Sequence, residues 1–298
     1  MDKLLIALLA LSPNTGKVAN RLMDAVCYGI KRFLEPYFIA HEEKVKAKVE
    51  LAVFRSNPLR QLEFAKEFLK NTDGRFPEEA VRDLSNLISI IRTAVICTEG
   101  HQLGTPVYSE AEDREWYARF FDEAKYISDE QLQEAWGRLL AERMIHPEGV
   151  NNRVLYFIRN LDKKEIETIR RALRVFLNDD FTPRQIIKGI DGLSRDMPAL
   201  LSLGVTFEGG DTLNPMVATV DFDEGPIISG HGYDFKITQL GNTQELEVSC
   251  FALTPEGQVL SRLCETSMTK KEAQTICDNL NACWKNEARV EVVEKKEK

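Results

Sequence analysis

The chain has 298 residues, a length that suggests about two domains. With 43% apolar and 29% charged residues it can bury a core, which excludes collagen-like, largely disordered and multi-span membrane classes. Lys and Arg number 39 against 47 Asp and Glu, a formal charge of −8, which argues against a general polyanion binder and favours protein or small-ligand partners.

Residues 4–11 form the most apolar run, but as helix they would span about 12 Å against a hydrocarbon core of about 30 Å. A signal peptide is disfavoured, because Asp2 offsets Lys3 and no disulfide pattern follows. Ser12-Pro13-Asn14 breaks the run. The next segment, residues 18–38, carries Leu22, Val26, Ile30, Phe33 and Phe38 near helical spacing, with Arg21, Asp24, Lys31 and Arg32 between them. Residues 1–36 therefore read as an N-terminal docking segment that covers a core. Peripheral membrane contact through residues 4–38 is the alternative, with Lys31 and Arg32 as its thin support.

Ser56-Asn57-Pro58 ends a charged helix, since proline removes a donor and restricts Asn57. A further helix follows over residues 59–69, then a turn at Asn71-Thr72-Asp73-Gly74. Pro77 opens a helix to about Thr98, whose Val81, Leu84, Leu87, Ile88, Ile91 and Val95 form a core stripe. Trp116, Tyr117, Phe120 and Phe121 supply burial on a helix over residues 116–125. Ser128 reads as the next N-cap, with Gln131 closing a capping box ahead of Leu132, Trp136, Leu139 and Leu140. Residues 150–161 are helix-like, and Asp162 caps the helix that runs on to Phe176.

Beyond Phe181 the texture changes. Short helices are expected over residues 182–190 and 194–203, the second ended by Gly204. The period then falls to two at residues 205–207, 216–222, 233–240 and 245–252, punctuated by Gly209-Gly210, Gly225, Gly230, Gly232 and Gly241-Asn242. Two helices, after Thr254-Pro255-Glu256 and over residues 270–284, precede a last strand at 288–293. The expected organisation is mainly α: a helical domain at 37–178, a smaller α+β domain at 179–293 and a charged tail at 294–298.

The cysteines Cys27, Cys97, Cys250, Cys264, Cys277 and Cys283 include no C-x-x-C pair and read as reduced thiols of a cytoplasmic protein. No phosphate-binding glycine loop, dinucleotide fingerprint, zinc-protease motif or serine elbow is present. His41, His101, His146 and His231 are scattered, so no metal site and no cofactor is expected, and Gly230-His231-Gly232 reads as a hairpin turn. One enzymatic reading has a basis in spacing. Asp221 and Asp223 end one strand, and Asp234-Phe235-Lys236 begins another, so Asp234 and Lys236 share a face, as a metal-dependent nuclease would require. A solvated strand explains the same alternation.

Charge is unevenly spread. Acids outnumber bases eleven to five over residues 110–150, whereas bases outnumber acids nine to five over residues 153–188. Arg170, Arg171 and Arg174 share part of one helical face and are the candidates for phosphate contact. Pairing of the neighbouring acidic and basic helices is the simpler account.

Residues 132–166, LQEAWGRLLAERMIHPEGVNNRVLYFIRNLDKKEI, resemble the bacterial family catalogued as domain of unknown function 2806. That family places an LQ-x-x-W-x-x-LLA-x-E helix before a Pro-Gly loop and a helix beginning Arg-x-Leu. Gly29-Ile30, Glu35-Pro36, Leu203-Gly204-Val205 and Leu253-Thr254-Pro255-Glu256-Gly257 agree with it, while Glu142-Arg143 is a mild departure. The resemblance implies a soluble bacterial protein with a helical body and a winged-helix-like tail, and it implies no reaction. A looser likeness to the Abi-alpha abortive-infection proteins associates it with phage defence. A winged helix reads bases with its recognition helix, but the candidate at residues 194–203 offers Arg195 beside Asp196 and is otherwise apolar.

The reading that results is a non-enzymatic, mainly helical cytoplasmic protein without cofactor, acting through a protein partner or self-association in phage defence or stress response. A DNA-associated regulator using Arg170, Arg171 and Arg174 is the first alternative. A nuclease built on Asp221, Asp234 and Lys236 is the second.

Overall fold

The computed structural model describes residues 16–41, 64–65, 67–70, 74, 76–99, 101, 110–207, 217–221, 227–263 and 267–295. The apolar run at 4–11, the break at Ser56-Asn57-Pro58, Gly209-Gly210, Asp223, Gly225 and Cys264 lie outside them. By contacts the chain divides into two units, Met1–Arg159 and Asn160–Lys298.

The first unit is helical: α1 (Gly16–His41), α2 (Glu78–Thr98), α3 (Glu110–Ala124), α4 (Glu130–Ile145) and α5 (Asn152–Arg159), with helical backbone also at 64–65 and 67–70. Helix α1 buries Val26, Ile30 and Phe38 of the expected stripe, with Leu34 in place of the half-buried Phe33. No helix among the described residues is long and apolar enough to cross a membrane. Helix α2 buries Leu84, Leu87, Ile90, Ile91, Ala94 and Val95. It packs on α4, where Gly137 brings the two backbones close: a Cβ there would lie 2.7 Å from the Ile90 carbonyl oxygen. Aromatic rings fill the rest, with Trp116 stacked on Phe120 at 5.1 Å and Phe68 on Phe76 at 4.1 Å.

The N-cap of α4 is Asp129 rather than Ser128. Its carboxylate accepts from the backbone N–H groups of Gln131 and Leu132 at 3.0 and 3.2 Å. A carboxylate at a helix N-terminus gains from the macrodipole as well as the hydrogen bonds, which a serine hydroxyl does not. Helix α3 starts six residues earlier than expected, because its acidic first turn is tolerated at the positive end of a helix.

The second unit opens with α6 (Lys163–Leu173), which Asp162 and Glu165 close with a reciprocal capping box. Strand β1 (Phe181–Pro183), a 3-10 turn (Arg184–Lys188) and α7 (Leu193–Ser202) follow. Gly204 ends α7 at φ +73°, a conformation that favours glycine. Then come β2 (Val217–Asp221), β3 (Ile227–Ser229), β4 (Tyr233–Gln239), β5 (Glu245–Ala252), α8 (Pro255–Leu263), α9 (Lys270–Cys283) and β6 (Ala288–Glu294). They form two antiparallel three-stranded sheets, β1-β5-β2 and β3-β4-β6. Residues 205–207 contribute only a bridge, Thr206 to Leu253.

An asparagine covers one residue on each outer edge of the β3-β4-β6 sheet. Asn178 donates its backbone N–H to the Ser229 carbonyl (2.6 Å) and accepts the Ser229 N–H on Oδ1 (2.8 Å). Asn281 treats Val290 likewise, through Oδ1 and Nδ2 at 2.8 and 2.9 Å. Each amide substitutes for a neighbouring strand and removes a template for edge pairing. The Trp284 indole donates to the Glu247 carbonyl of β5 at 2.8 Å.

The boundary read near Asn178 falls inside the second unit. Helix α6 belongs with the sheets because Arg171 forks onto Asp196 of α7 at 2.6 and 2.7 Å, and Arg174 onto Glu272 of α9 at 2.6 Å.

Candidate functional site

Those pairs decide what the arginine face of α6 can do. Arg171 holds an Asp196 carboxylate whose side chain is only 3% exposed, and Arg174 is itself 18% exposed. Burial pushes the Glu272 carboxyl up, but the Arg174 guanidinium and the Thr269 N–H and hydroxyl together hold it below its usual 4.5. A carboxyl depressed by folding stabilises above 4.5, and that contribution is lost as pH falls through the lower folded value. Glu272→Gln should therefore lower stability by about 1–3 kcal/mol at neutral pH and flatten the acid limb of an unfolding-versus-pH curve. Arg170 is half-buried on the same helix.

The nuclease trio is divided between the sheets. Asp221 ends β2, opposite Glu245 in the β1-β5-β2 sheet. Asp234 and Lys236 lie on β4 in the other sheet, on one face, opposite Ser229 and Ile227 of β3. Asp234 accepts from the Ser229 hydroxyl at 3.0 Å and pairs with the Lys295 ammonium at 3.3 Å. Among the described residues, no group of three or more His, Cys, Asp or Glu could hold a metal ion. No disulfide links the described cysteines. Burial pushes the Cys27 and Cys250 thiols up to about 11, so neither is a thiolate nucleophile at neutral pH.

Two arrangements escape sequence reading. The first is a cavity of about 400 Å³ in the first unit, lined by Arg32, Phe33 and Tyr37 of α1 and by Phe121, Asp122 and Lys125 at the end of α3. Arg32 forks onto Asp122 at 3.3 and 2.8 Å. Burial, then the nearby Asp83 carboxylate, push the Tyr37 hydroxyl above its usual value, so it stays a hydrogen-bond donor. Aromatic walls with an internally paired guanidinium suit binding of a small amphipathic molecule, and no nucleophile is aligned with a base there.

The second is a half-buried polar triangle in the second unit. The Ser261 hydroxyl donates to Asp179 Oδ1 at 2.7 Å and lies 3.1 Å from His231 Nε2, which is 3.6 Å from the same Asp179 oxygen. A serine has one hydroxyl proton, and it goes to the carboxylate; His231 Nε2 therefore carries a proton and donates to the serine. This inverts the relay of a hydrolase, in which the serine proton goes to histidine. Ser261 is also fully buried, so the triangle is no nucleophilic site. Its members lie 82 and 30 residues from Ser261 along the chain, and the glycines flanking His231 were the sole local signal.

No curated protein and no solved structure matches the chain. Residues 71–191, which include α2 to α6, match the model of a family described as Protein of unknown function (DUF2806), and the resemblance carried by residues 132–166 is thereby shown.

Proposed function

We propose that the chain is a non-enzymatic module that works through protein contacts. One observation carries this reading: Arg171 and Arg174, the cations best spaced to meet phosphates, are committed to Asp196 and Glu272. The outward face of α7 offers Ser194, Arg195, Pro198 and Ser202, a single cation where a groove-reading helix needs several polar contacts. The setting we propose is phage defence or a stress response in the cytoplasm.

A DNA-associated regulator is the second reading, favoured by topology. The 3-10 turn and α7 lie between β1 and β2, and the antiparallel pair β2 and β5, joined through β3 and β4 of the other sheet, would stand as the wing of a winged-helix-like module. A mobility-shift assay with duplex DNA at about 50 and about 200 mM salt separates the two. Protein contact predicts weak retardation without sequence preference. Tight binding that weakens steeply with salt would establish the regulator instead.

A further inference from the structure

The triangle of Asp179, Ser261 and His231 joins three segments: the 178–180 turn, α8 and the turn between β3 and β4. We propose that His231 is an acid-operated latch, whose protonation releases α8 and the 178–180 turn from the β3-β4 turn. With Nε2–H committed to Ser261, the proton must enter at Nδ1, and it comes from solvent. The resulting imidazolium lies 3.6 Å from Asp179 Oδ1 and competes with the Ser261 hydroxyl for that oxygen.

The charged groups acting on the ring come from two sides. Asp179 faces it from the 178–180 turn and favours the charged form; Lys295, following β6, opposes it and is itself held by Asp234 of β4. Helix α8 presents the uncharged Ser261, and the stretch before α9 presents the Met268 N–H, which donates to the His231 carbonyl at 3.0 Å. Burial, the largest influence, disfavours the imidazolium and keeps His231 below its ordinary 6.5 in the closed state. Opening to water removes that penalty, so acid selects the open form. Asn178 and Asp179 both sit at φ 52°, a left-handed conformation that Asn and Asp adopt more readily than other non-glycine residues, and the Ser261 bond is one restraint that holds Asp179 there. Gln258 still donates to Asp180 at 3.0 Å, which keeps the release local.

The test is amide hydrogen exchange on the full chain, followed over residues 178–182 and 255–263 from about pH 7.5 to about pH 5 and corrected for intrinsic rates. If opening takes up one proton, the open fraction should rise by up to about tenfold per pH unit below 6.5. His231→Gln keeps a donor for Ser261 but binds no proton, and should abolish the rise. The imidazole resonances of the wild-type protein give a second readout, and should titrate in step with exchange in α8. Flat wild-type exchange, an equal rise in His231→Gln, or His231 titrating while α8 exchange stays constant would each overturn the latch.

Discussion

Arg143→Met is expected to cost the first unit about 3–5 kcal/mol, because it strands the largely buried Asp113 carboxylate and two backbone carbonyls without their donor. The Arg143 side chain is 2% exposed. Nη1 donates to the carbonyls of Pro147 and Val150 at 2.9 and 2.6 Å, and Nη2 donates to Asp113 at 2.6 Å. The guanidinium also lies over the Trp116 ring, 5.3 Å from its centroid. One planar fork thus fixes the turn that leaves α4, the start of α3 and the buried Trp116 indole together. Methionine keeps the apolar volume and removes every one of these donors. Arg143→Lys should recover only part of the loss, since a point charge cannot reproduce the fork. Denaturant unfolding followed by fluorescence checks this, with Trp116 and Trp136 both buried in the first unit as reporters. Adding Asp113→Asn should return part of the loss by removing the stranded charge; strict additivity of the two substitutions would contradict the coupling.

Gly257→Ala in the second unit should destabilise by about 1–3 kcal/mol, although alanine is favoured over glycine inside a helix by about 1 kcal/mol. Gly257 occupies the first turn of α8, where its N–H takes the Thr254 hydroxyl as cap at 3.0 Å. A Cβ there would overlap the Val205 carbonyl, which is backbone and is already accepting the Thr254 N–H at 3.0 Å. Neither partner can rotate away, so α8 must shift, and packing outweighs propensity. Gly137→Ala should behave the same way in the first unit, against the Ile90 carbonyl. Thermal unfolding of the two variants reads both; a rise in Tm for Gly257→Ala would show that α8 is free to move.

How much of this was legible depends on the range of the interaction. The α2 stripe is written in its own 3.6-residue period, and β4, β5 and β6 in alternation; Leu84, Leu87, Ile91 and Val95 are buried as read, while Val81 and Ile88 are half-buried and Ile90 and Ala94 join the core. The Asp162 cap is equally local. Strands β1 and β3 are three residues each, too short for any periodicity to register. Asp129 displaced Ser128 because both are adjacent cap formers, and only the geometry of the chain entering α4 selects between them. Long-range pairs were invisible: Glu272 lies 98 residues from Arg174, so α6 looked like the end of the helical body. Pairing is the simpler reading of Arg171 and Arg174, but their partners are Asp196 and Glu272 and not the acidic stretch at 110–150. The cavity between α1 and α3 and the His231 triangle arise from residues brought together by folding, each ordinary in its own stretch.

On the proposed function, the arginines of α6 serve the fold and the molecule acts by protein contact. Side-chain NMR of the Arg171 and Arg174 Nε–H groups, during titration with duplex DNA at about 50 mM salt, tests it most directly. Both resonances should keep their positions throughout the titration, because both groups stay bonded to Asp196 and Glu272. Resonances that move in proportion to bound DNA and return at higher salt would show that these guanidinium groups meet phosphate, and would contradict the claim.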